Sequence, residues 1–172
     1  MTTRPAVLAL VIAVLVVVAL GSVGVTVVGL HRDPEPLTAA DPPPAVGLRP
    51  EIGAAEVLAS WDAERAAAWA SGDVRRLRSL YTPGSVAGRR DAGMLRRWLQ
   101  RGFVVRDLRT QVLALSEVSH SGDRWVLTVT DRVAGGVADA RETHAHLPAD
   151  MPTTRTVTMR RFGETWLVSA VR

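Results

Sequence analysis

The chain has 172 residues, room for one domain plus extra segments, and its 21 basic residues outnumber 17 acids for a net charge of +4. All 21 are arginine and none is lysine, a bias that fits a GC-rich genome of the actinobacterial kind better than it fits a function. There is no cysteine, which excludes a disulfide frame, a thiol nucleophile, a cysteine zinc site and a lipid-modified cysteine as anchor.

The first element follows a five-residue tail. Ala6 to Leu30, "AVLALVIAVLVVVALGSVGVTVVGL", holds no charged residue. As a helix it would reach roughly 37 Å, enough for a hydrocarbon core of about 30 Å with some tilt. A cleaved secretory signal is the competing reading, with Thr38-Ala39-Ala40 as a small-residue cleavage site. Signal cores run about 7–15 apolar residues, and this one is much longer, so an uncleaved anchor is expected. Arg4 on one side and His31, Arg32 and Arg49 on the other, mixed with Asp33, Glu35 and Asp41, leave the positive-inside comparison near a tie. A short tail before a single span is the layout of a signal anchor, and it places the domain outside the cytoplasm. Residues 31–50 carry six prolines and little that could pack, the composition of a semi-rigid spacer.

Residues 51–172 can form one core. In "AAEVLASWDAERAAAWASGD", Ala54, Val57, Leu58, Trp61, Ala68 and Trp69 share a helical stripe, with Gly72 as its stop and Asp73 as the next cap. A second helix, "VRRLRSLY", puts Val74, Leu77, Leu80 and Tyr81 on one side and closes at Pro83-Gly84. A third, Asp91 to Arg101, buries Met94, Leu95, Trp98 and Leu99, with Asp91 as its cap. After Gly102 the period becomes two. Strands are predicted at Val104–Val118, Arg124–Val133, Thr153–Arg161 and Thr165–Val171, with "SHSGD" and "FGET" as hairpin turns. Ala134–Pro152, with Gly135-Gly136, two prolines and no strong period, reads as a long connection. Helices first and an antiparallel meander after make an α+β domain.

The pattern "VLASWDAERAAAWASGDVRRLRSLYTPGS", a third short helix and the closing "VTMRRFGETWLVSAVR" resembles the nuclear transport factor 2-like superfamily, the cystatin-like cone fold of the polyketide cyclases and ketosteroid isomerases. Trp69, Gly72-Asp73, Leu77, Leu80-Tyr81 and the terminal hairpin with Trp166 carry it, over about Ala54 to Arg172. The resemblance implies a curved sheet wrapped around the long first helix, with a pocket at the open end. Such proteins range from isomerases, cyclases and epoxide hydrolases to catalytically silent binding domains, several of them membrane-anchored and extracytoplasmic, and homodimers through the outer sheet face are common. The epoxide-hydrolase-type Asp–Arg–Asp set cannot be assigned residue by residue here.

Asp131 is the first candidate. Trp125, Leu127 and Val129 share the apolar face of "WVLTVTD", and period two puts Asp131 there too. Either it lies in a catalytic pocket as a general base with a raised pKa, or the strand leaves the core at that point. Arg132 points the other way along the strand, so Arg65, one turn after Trp61, is the expected partner across a pocket lined by Trp61, Arg65, Trp69, Trp98, Trp125 and Asp131. Those tryptophans equally suit plain core. His144 and His146 in "RETHAHLPAD", near Glu142, Asp139 and Asp150, are weak metal candidates, because a closed zinc site needs four ligands; as loop histidines they should be exposed, as should His120. No nucleophile-elbow serine and no glycine-rich phosphate loop occurs. Between Arg75 and Arg109 there are ten arginines and two acids. Arg75, Arg76, Arg78, Arg90, Arg97 and Arg101 form a candidate basic patch for anionic headgroups or acidic wall polymers, or a solvated face. Without interleaved aromatics nucleic acid is not an expected partner.

The reading that follows is a single-pass cell-membrane protein, held in the bilayer by residues 6–30, whose extracytoplasmic domain is a non-catalytic binding or assembly module. Its expected partners are an envelope protein, an anionic wall polymer or a second copy, with no cofactor. The alternative is a small-molecule enzyme or carrier using the cone pocket with Asp131 as base.

Overall fold

The computed structural model describes residues 53–141 and 143–172, so the expected anchor and the proline-rich linker lie outside the described residues. Among the described residues no helix is long and apolar enough to cross a membrane. Three helices precede five strands: α1 (Ala54–Ser71), α2 (Val74–Ser79), α3 (Val86–Gln100), β1 (Val104–Ser121), β2 (Arg124–Ala140), β3 (Thr143–Leu147), β4 (Thr153–Phe162) and β5 (Thr165–Val171). The domain is α+β, its helices packed on a curved antiparallel sheet.

α1 has alanine at eight of eighteen positions, the residue that loses least on entering a helix, and it buries Val57, Leu58, Ala68 and Trp69. It ends where Gly72 takes φ 67°, a left-handed conformation that lets Asp73 N–H close on the Ala68 carbonyl at 2.9 Å. Asp73 then caps α2, accepting from the backbone N–H of Arg75 and Arg76 at 2.9 Å each. α3 differs from its expected start. It begins five residues before Asp91, capped by the Ser85 hydroxyl on Gly88 N–H at 3.2 Å. Asp91 is not a cap; it lies inside the helix on the buried stripe with Ala92, Leu95 and Trp98.

The sheet runs β1-β2-β4-β5, all antiparallel, and β3 pairs with the far half of β2. The expected connection after Ala134 is therefore a strand for most of its length. β2 continues through Gly135-Gly136 to Ala140 and is answered by β3. The two glycines permit this rather than end it: Gly135 sits at φ 149°, and a Cβ on Gly136 would come within 3.3 Å of the Arg106 carbonyl. The β1–β2 register slips repeatedly. β1 carries an extra residue between Arg106 and Arg109, at Leu113 and at Val118, and β2 carries one at Ala134. These bulges bend the long hairpin, so that Trp125, Leu127, Val129, Asp131 and Ala138 are buried. The connection from α2 to α3 is stitched to β5, with Thr82 N–H on Val168 O at 3.1 Å and Val168 N–H on Leu80 O at 3.0 Å.

Candidate functional site

The polar residues of the interior come from α1, the connection after α2, α3 and the middle of the sheet. α1 supplies Trp61, Asp62, Arg65 and Trp69, within two to three turns of one another. Arg65 grips Asp91 with a two-pronged contact, Nε to Oδ2 at 2.7 Å and Nη2 to Oδ1 at 2.9 Å. Tyr81 donates its hydroxyl to the same carboxylate at 2.7 Å, and the Trp69 indole N–H donates at 3.2 Å. Four donors fill the acceptor capacity of one carboxylate. Burial opposes the charge on Asp91, but Arg65, with the bonds from Tyr81 and Trp69, holds its pKa below the ordinary carboxylate value. The same environment raises the Tyr81 hydroxyl, through burial first and the Asp91 charge second.

Asp131 is 6% exposed and, as the strand alternation requires, on the buried face. Its partner differs from the expected one. Arg155 sits opposite Val129 on β4, diagonal to Asp131, and its Nη2 lies 2.5 Å from both carboxylate oxygens. Arg65 is committed to Asp91, so no Arg65–Asp131 pair forms. Arg132 turns away and donates to Gln111 Oε1 at 2.9 Å.

Asp62 lies within the field of both ion pairs and makes no hydrogen bond among the described residues. Burial pushes its pKa up to about 6; Arg65 and Arg155 pull it down, and Asp131 and Asp91 push it up.

The cavity beside Arg65 is small, about 40 Å³, room for one or two waters. Arg65, Trp69 and Trp98 line it with Met94, Val105, Leu108, Val133 and Leu147. Trp61, Trp125 and Asp131 are not part of it. Trp61 donates to the Leu80 carbonyl at 2.9 Å and meets Tyr81 edge-on. Trp125 stacks on Trp166 at 4.2 Å and meets the His120 ring at 4.8 Å. His144 and His146 face Asp139 and Val137 across the β2–β3 pairing, and His144 Nδ1 is 2.6 Å from Asp139. Among the described residues no three metal-ligating side chains gather. The six arginines of the expected patch are all exposed, Arg76 pairing with Glu64 at 2.7 Å. Sequence reasoning did not assign Asp91, Tyr81 or Arg155 a place in the interior network. Asp91 carried a signal: it falls one and two turns before Leu95 and Trp98, on their stripe.

No family model and no curated protein matches the sequence. Among solved structures the chain is similar to the intermembrane space region of the chloroplast protein ARC6, with 16% identity and a TM-score of 0.48 over 73% of this chain and 97% of that one. It is also similar to an NTF2-like protein from Cytophaga hutchinsonii (14% identity, TM-score 0.45, 69% and 95% covered). A third is an NTF2-like protein with a cystatin-like fold from Novosphingobium aromaticivorans (14%, 0.42, 68% and 78%). The last two are NTF2-like proteins, one of them with a cystatin-like fold, and the likeness extends to nothing beyond the fold.

Proposed function

We propose that the chain is a membrane-tethered, extracytoplasmic, non-catalytic binding module. One observation carries this reading: the cavity beside Arg65 is small, and the two most buried carboxylates, Asp91 and Asp131, are each held by an arginine. Small-molecule sites usually enclose about 300–1,000 Å³, whereas the cavity here is about 40 Å³. Asp91 has no lone pair left to offer, and Asp131 is held by Arg155. The tether is the uncharged stretch of residues 6–30, followed by the proline-rich spacer.

A second reading, an enzyme or carrier, is favoured by Asp62, a half-buried carboxylate without a hydrogen bond among the described residues whose pKa burial pushes up to about 6, whereas Asp131 is paired with Arg155. One experiment separates the two. The gene is replaced by a double variant, Asp62→Asn with Asp131→Asn, and the phenotype of the deletion is scored beside it. Restoration by the double variant supports the module. A phenotype as severe as the deletion, from a protein shown to be folded, supports the enzyme. A reporter fused after Arg172 and active only in the cytoplasm would overturn the placement outside.

A further inference from the structure

α3 is amphipathic in an unusual way. At 100° per residue its buried side carries Gly88, Asp91, Ala92, Leu95 and Trp98, and its solvent side carries Arg89, Arg90, Arg96 and Arg97, with Arg101 at the C-cap. Residues 86–101 contain one acid, Asp91, and it is buried under Arg65. None of the five arginines has a carboxylate within 4.0 Å among the described residues, and Arg89 spends one N–H on the Gly84 carbonyl at 2.6 Å. The other exposed positions are Val86, 51% exposed, and Gln100. α2, packed beside it, adds exposed Arg75 and Arg78, which have no carboxylate partner among the described residues. A face of this length with one sign of charge is attracted to an anionic surface through its guanidinium groups.

We infer that the arginine face of α3 docks on the anionic phospholipid surface of the bilayer that tethers the chain. The inference rests on the proposed tether of residues 6–30, which would hold the domain near the bilayer. Which face lands is then decided by charge. Each arginine brought to a charged membrane surface is worth on the order of a fivefold gain in occupancy, and the gain fades beyond a Debye length of about 10 Å. Phosphodiester oxygens suit guanidinium forks.

The test uses the full chain in lipid nanodiscs. The sequence has no cysteine, so Gln100→Cys places one fluorophore on the arginine face, and in a second protein Glu164→Cys places one on the β4–β5 turn. Quenching by a nitroxide-headgroup lipid is compared between discs of neutral phosphatidylcholine and discs containing about a third phosphatidylglycerol. The expected result is quenching of the helix probe at least fivefold greater in anionic discs, little quenching of the turn probe, and loss of the difference in high salt or in the Arg90→Glu, Arg97→Glu double variant. Equal quenching in both discs, or at both sites, overturns the proposal. So does an unchanged signal in the double variant. Burial of the helix probe by soluble polyphosphate, with none by lipid, assigns the face to a polymer instead and overturns it too. A chain that never enters the discs overturns the tether and the inference together; one that enters and shows no lipid dependence overturns the inference alone.

Discussion

Asp91 and Asp62 both feel the guanidinium of Arg65, yet their pKa values move in opposite directions. The difference is contact. Asp91 accepts four hydrogen bonds that offset its burial, and Asp62 is half-buried with none among the described residues. Because Asp91 is depressed, its contribution to stability is present above the unfolded carboxylate value of about 4 and is lost as pH falls below it. Asp91→Ala should cost about 3–5 kcal/mol at neutral pH, since it strands a largely buried guanidinium, and urea unfolding would show the lowered midpoint. Asp62 has the reverse sign. Its pKa is raised from 3.8 to about 6, so the stability associated with its neutral form is whole below about 4 and gone above about 6. Asp62→Asn should therefore raise stability by about 1–2 kcal/mol at pH 7.5, after allowance for solvent around a half-buried group, and change little at pH 3.5. Unfolding midpoints of both proteins at the two pH values would show it; equal increments at both would refute the assignment. The buried position of Asp131 was legible because alternation alone sets the face of a strand residue. Its partner was not, because Arg155 is adjacent only through the β2–β4 register, which depends on the whole sheet.

At the scale of elements, the helices and hairpins were readable wherever a cap or a period stood alone. Gly72-Asp73 is one case, and the strand Thr165–Val171 is another. Two boundaries were misplaced, each by a residue with more than one use. Asp91 has the chemistry of a cap but is consumed by tertiary contacts, so Ser85 starts α3 instead. Gly135-Gly136 has the chemistry of a turn, but here it accommodates a bulge that carries β2 onward to β3. Gly88 makes the same point energetically. Alanine in the helix would gain about 1 kcal/mol in propensity, yet its Cβ would lie 2.7 Å from Tyr81 Cβ and Cγ. Tyr81 is held by its bond to Asp91 and cannot retreat. Gly88→Ala should thus destabilise by about 1–3 kcal/mol, visible as a lower thermal midpoint, whereas Gly93→Ala, whose nearest contact is a movable Arg97 atom at 3.6 Å, should not.

For the molecule as a whole, the described residues hold one core. The buried hydrophobic side chains of α1 through β5 form one connected cluster, from Val57 on the first helix to Val168 on the last strand. If burial within this cluster offsets the entropy of ordering, residues 1–50 are not required for folding. A protein beginning at residue 51 should therefore be soluble without detergent, show the same helix and strand content by circular dichroism, and unfold cooperatively. Its thermal midpoint should lie within about 2 °C of the full chain in neutral nanodiscs, a shift smaller than 1 kcal/mol produces in a domain of this size. The exposed apolar residues of β1, Leu113 at 47% and Val118 at 62%, are the obstacle to that solubility, for an unpaired eighteen-residue edge can template association. The bulges at those two positions interrupt the regular row of backbone groups that a second strand would need. The truncated protein should accordingly remain dispersed. A truncated chain that is unfolded, or that precipitates in every buffer, would show that the first fifty residues complete the core rather than merely hold it near a membrane.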